Sequence, residues 1–100
     1  MTRTAEDHKR MIESPKDWPM WPLLPLVNRR TRQIGVITPD YPNNVILVNL
    51  FQVSATRLVL NQLANDGDIN GPASETGEPL VEVLKYQDVW AMLDAGWEVN

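Results

Sequence analysis

An α+β fold, a small antiparallel sheet with helices packed on one face, is predicted for this chain by three observations. Short runs of β-favouring residues separated by turn-length connections fill residues 23–51. Two later stretches, Ser54 to Ala64 and Asp88 to Ala95, place apolar residues at helical spacing. Strand sequence returns after each of them, at Leu80 to Lys85 and at Trp97 to Val99.

Each element has a local reason. Ala5 to Glu13 reads as a helix with Thr4 as N-cap, Glu6 and Asp7 in the first turn, and Lys9 and Arg10 near the end, which suits the helix dipole. Ser14-Pro15 ends it. Leu23 to Arg29 and Gln33 to Thr38 read as a hairpin turned by Arg30, Thr31 and Arg32. Pro25 has no amide to give to a ladder and so belongs at an edge or a strand entrance. Val45 to Phe51 is a near-continuous apolar run and the best central strand. In the helix opened by Ser54 the stripe is Ala55, Leu58, Val59, Gln62 and Leu63, although Arg57 to Leu60 also suits a strand. The last helix puts Val89, Trp90 and Leu93 on one face and stops at Gly96, after which Trp97 folds back over its end.

One hundred residues make one domain, residues 1–100, with a polar leading segment over 1–15 and an acidic, glycine-containing loop over 65–79. There is no cysteine, hence no disulfide framework, zinc-thiolate site or thiol nucleophile. The N-terminal residues have no apolar signal core behind them, and no segment reaches the length of a membrane span, so a cytoplasmic protein with no membrane partner is expected. The net charge of −4 is unevenly placed: residues 1–35 hold seven Lys/Arg against four Asp/Glu, the remainder two against nine. That balance suits neither a DNA mimic nor a general nucleic-acid binder.

Two end segments carry a resemblance. Trp18-Pro-Met-Trp-Pro-Leu-Leu-Pro-Leu26 and Tyr86-Gln-Asp-Val-Trp-Ala-Met-Leu-Asp-Ala-Gly-Trp-Glu-Val99, with Gly35-Val-Ile37 and Val48-Asn-Leu-Phe51 between them, resemble a group of small uncharacterised proteins of actinobacteriophages and their hosts. The resemblance implies a phage accessory protein working inside a bacterial cell, with an unknown host or phage protein as partner. It implies no site. The loop over 65–78 and the leading helix have no counterpart in it.

The proline segment is the most distinctive motif. Pro19, Pro22 and Pro25 recur every three residues, the period of a polyproline II helix, which would put Trp18 and Trp21 on one face. With Lys16 ahead of Pro19 and Pro22 the pattern fits an SH3-type ligand. Strand sequence follows at once, however, and burying an aromatic is worth about 1.5–3 kcal/mol, so the expectation is a strap packed across the protein's own sheet. A variant of that reading leaves one indole at a dimer or partner interface.

Asp66, Asp68 and Asn70 followed by Gly71 match the first half of an EF-hand calcium loop, and Glu75 or Glu78 would supply the closing carboxylate. The twelfth position is Gly77, so the bidentate ligand is missing and a solvated turn explains the same residues. Arg29, Arg30 and Arg32 crowd one turn, where they could grip phosphates or an acidic surface, or simply keep a hairpin soluble. His8 is the only histidine, expected on the surface, and no nucleophile elbow, phosphate loop or marked carboxylate pair is present. The reading is therefore a non-enzymatic protein-interaction module with no cofactor, using Trp18, Trp21, Arg29, Arg30 and Arg32. A calcium-responsive domain, or a weak nucleic-acid binder at the 29–32 hairpin, is the alternative, and a homodimer is compatible with the exposed edges of a small sheet.

Overall fold

The computed structural model describes residues 4–100; positions 1–3 of the leading segment lie outside the described residues. Helix α1 (Ala5–Ile12) and a 3₁₀ turn (Pro15–Asp17) lead into the strands β1 (Leu24–Asn28), β2 (Gln33–Ile37) and β3 (Val45–Asn49). Helix α2 (Ala55–Ala64), β4 (Val81–Lys85), α3 (Val89–Asp94) and β5 (Trp97–Val99) follow. The five strands form one antiparallel sheet in the order β4-β3-β2-β1-β5. The α+β class holds, and β3, paired with β2 on one side and β4 on the other and buried at every residue, is an interior strand as expected.

Strand alternation divides the apolar residues between the two faces. Leu24, Leu26, Ile37, Ile46 and Val48 share one face with Trp97 and Val99, and they pack against Ile12, Trp18, Val89 and Met92 beneath α1 and α3. Val36, Leu47 and Val81 point the other way, where Leu58 of α2 and Ile69, Ala73 and Leu80 cover them. Two helices thus lie together on one face and the third joins the 65–80 segment on the other, so the expected packing of the helices on a single face is corrected: Val36, Leu47 and Val81 make the second face apolar too, and α2 covers it. Pro25 occupies a strand entrance as expected. Its carbonyl accepts from the Asn100 N–H (3.1 Å), so its missing donor faces the β5 side and β2 loses no ladder bond.

The caps at Thr4 and Ser54 are where the sequence places them, and Asp88, read as the first residue of the last helix, is its N-cap. Ser54 Oγ accepts from the Arg57 N–H and Asp88 Oδ1 from the Ala91 N–H. At α1, Thr4 Oγ1 accepts from the Asp7 N–H while the Asp7 carboxylate accepts from the Thr4 N–H, both at 3.2 Å, a reciprocal capping box. These bonds to Thr4, with Arg10 nearby, hold the Asp7 carboxyl below its ordinary value. The capping contribution is therefore present above the ordinary carboxylate pKa and lost as pH falls through the depressed one. A carboxyl-carbon NMR titration should find Asp7 below the usual aspartate range, and a value at or above that range would contradict the capping box.

Three further expectations are overturned. Leu50 and Phe51 do not extend β3: Asn49 turns the chain by donating to the Val53 carbonyl (2.7 Å) and accepting from the Val53 N–H (3.0 Å), and Gln52 takes a positive φ of 52°. His8 is buried, with 9% exposure, because His8 and Ile12 are one helical turn apart on the side of α1 that packs on β5. Its Nδ1 accepts from the Val99 N–H at 3.1 Å. Trp90 is not core, although Trp97 is, with its indole donating to the Tyr86 hydroxyl (3.0 Å). In the six-residue α3, Val89 and Met92 turn inward, and Trp90 lies outside beneath the Lys9 ammonium, 5.5 Å from the ring centroid.

Candidate functional site

The proline segment is a turn, not a polyproline II strap. The Leu23 N–H donates to the Met20 carbonyl at 3.0 Å and closes a turn, so the three-residue period does not form a continuous face. The turn separates the two indoles. Trp18 is 5% exposed, packed in the main core, and its Nε1–H donates to the Met11 carbonyl at the end of α1 (2.7 Å). Trp21 is 60% exposed and rests edge-on against Trp18, with centroids 6.4 Å apart and planes at 66°.

Across from Trp21 lies α2. Between the turn and the helix runs an apolar groove of about 360 Å³, walled by Met20, Trp21 and Pro22 on one side and by Ala55, Val59 and Leu60 on the other. Leu23 forms part of its lining. Leu60 is 58% exposed, and Leu63, on the next turn of the same helical side, is 69% exposed. Leu63 was expected to face the core; the buried positions are Leu58 and Asn61. Asn61 turns inward because its Nδ2 donates to the Gly71 carbonyl (3.0 Å), tying the helix to the loop below it. That rotation leaves Thr56, Leu60, Leu63 and Ala64 facing outward with no charged residue among them. Arg57, the one charged residue of α2, is drawn aside into a 2.6 Å ion pair with Glu75.

The basic turn is elsewhere. The proline turn enters β1 and the arginine turn leaves it, so a five-residue strand of about 17 Å separates them. A single aromatic surface bordered by Arg29, Arg30 and Arg32 does not form. Arg30 Nη1 donates to the Asp94 carbonyl at the end of α3 (2.8 Å), and Arg29 lies 3.6 Å from Glu98. Arg32 holds a turn position at φ 60° and is exposed.

The acidic loop is a cover for the second sheet face. Ile69 and Ala73 are buried under α2, and Pro72 bridges Pro79. Asp68 Oδ1 accepts from the Asn70 N–H (3.0 Å) in a local turn, Glu75 pairs with Arg57, and Glu78 is exposed. The five residues Asp66, Asp68, Asn70, Glu75 and Glu78 are not brought into one site, and no group of three or more His, Asp or Glu able to hold a metal ion occurs among the described residues.

Met20, Leu60 and Leu63 are the site residues that periodicity missed. A signal for them exists: Leu58, Leu60 and Leu63 cannot share one narrow helical stripe, so one side of α2 must remain apolar and outward. No family model, curated protein or solved structure matches the chain. No helix among the described residues is long and apolar enough to cross a membrane.

Proposed function

We propose that this protein is a non-enzymatic protein-interaction module that docks through the face made by the Met20–Pro22 turn and the outward side of α2. The observation that carries the reading is the contrast between two neighbouring indoles: Trp18 is locked into the core, and Trp21, in edge contact with it, stands outward beside the uncharged side of α2. Large aromatic and aliphatic side chains around a shallow groove are the anchors that protein partners use, and contiguous exposed apolar surface on a small domain marks such sites. The context of a phage accessory protein inside a bacterial cell rests on the resemblance of the two end segments and is part of the proposal.

A photo-crosslinking benzophenone residue placed at Leu60, compared with one at the exposed Glu82 of β4, tests the reading in lysate of the cells that naturally express the chain. Adducts of defined mass are expected from position 60 only, and they should disappear when Trp21→Ala is added. No adduct from position 60, or the same adducts from position 82, would overturn it.

A further inference from the structure

We infer that the occupant of this face is a second copy of the same chain, packed about a two-fold axis that passes near Leu60. This rests on the docking reading above and names its partner.

Three observations point to a copy. The face carries both a projection and a hollow: Trp21 and Leu63 stand out, and the groove between the turn and α2 lies beside them. A two-fold pairing needs one patch with both, since each copy presents the same surface to the other. Charge gives the second reason. The chain carries a net −4, so a copy meeting a charged face would be repelled, but the outward side of α2 is uncharged and Arg57 is held by Glu75. An unrelated partner is ordinarily steered by charges on the contact, and Thr56, Leu60, Leu63 and Ala64 on the outward side of α2 carry none. Area gives the third. The exposed parts of Met20, Trp21, Leu60 and Leu63 amount to roughly 500 Å², and pairing two such patches buries about 1,000 Å², the lower bound for a specific association.

The geometry that follows is an antiparallel crossing of α2 on α2 of the second copy. With Leu60 at the axis, Leu63 of each copy reaches the Thr56 end of the other helix, where Trp21 borders the groove. A pairing at this lower bound belongs to the weak, transient class of association.

Sedimentation equilibrium over about 1–200 µM tests it directly. The expected mass rises from 11.4 kDa towards twice that value. Leu60→Arg puts like charges across the axis and should weaken association at least about 100-fold, with the thermal melt of the dilute protein unchanged because Leu60 is exposed. The absence of native cysteine allows a second arm: Leu60→Cys should oxidise to a covalent dimer faster than Val83→Cys on the free β4 edge. A protein monomeric throughout, a dimer that survives Leu60→Arg, or faster cross-linking through position 83 would overturn the inference. A monomer that still gives Leu60 adducts with another protein would overturn the inference and leave the docking reading standing; no dimer and no adduct would remove both.

Discussion

Replacing Trp18 with alanine should destabilise the fold by roughly 3–5 kcal/mol, whereas the same change at Trp21, three residues along the chain, should cost less than about 1 kcal/mol. Trp18 fills the core between α1 and the sheet, and removing it opens a cavity there and deletes its bond to the Met11 carbonyl. Trp21 loses an edge-to-face contact and little else, because most of its surface is already in water. For a domain of this length the first change should lower the melting temperature by at least about 12 °C, since each kcal/mol corresponds to roughly 4–8 °C. For the proposed docking the order is the reverse: Trp21→Ala should abolish association while the melt of the dilute protein is nearly preserved. Equal destabilisation by the two substitutions would contradict the division of labour between the indoles.

Asn28→Ala should be the next most damaging single change, at about 2–4 kcal/mol. Asn28 is buried at the end of β1, where its amide donates to the Ala95 carbonyl (3.1 Å) and its oxygen accepts from the Arg30 and Thr31 N–H groups. One side chain thus satisfies a terminal carbonyl of α3 and holds the β1–β2 turn. Gly96 passes directly over it at φ 109°, and a Cβ there would lie 2.7 Å from Asn28 Oδ1. Gly96→Ala should therefore be destabilising both for its backbone conformation and for the clash. In the Asn28→Ala background the approach to Oδ1 is relieved, while the positive φ and the 3.0 Å approach of Arg30 Cδ remain, so the double variant should be more stable than the sum of the two losses predicts without recovering the whole cost of Gly96→Ala. Denaturant melts of the four proteins measure this coupling, and strict additivity would show that the two residues do not press on one another.

The frame of the molecule was legible because local signals agreed with tertiary packing. Thr4 and Ser54 are caps in sequence and in structure, and the turn at Arg30, the loop after Ala64 and the stop at Gly96 fall where short-range chemistry puts them. What could not be read was rotation. Helices as short as α2 and α3 carry apolar residues on more than one side, so the stripe alone does not decide which side turns inward. Asn61 decides it for α2 by bonding the loop, and the inward packing of Val89 and Met92 against α1 and β5 decides it for α3. His8 was misplaced for a related reason: its polarity suggests water, but helical spacing aligns it with Ile12 and the Val99 N–H supplies a partner. The proposed docking face was half visible. The Trp18 and Trp21 pair announced it, and only the turn at Met20 reveals which indole is outside.

Two indoles stand in water, Trp21 beside α2 and Trp90 beside α1, and they give the docking claim its most direct test. With the benzophenone residue placed at Met20, beside Trp21, and separately at position 90, partner adducts are expected from position 20 and none from position 90, where the ring is covered by Lys9 and flanked by charge. Adducts formed from position 90 alone would contradict it and move the interaction surface to the α1–α3 side of the molecule.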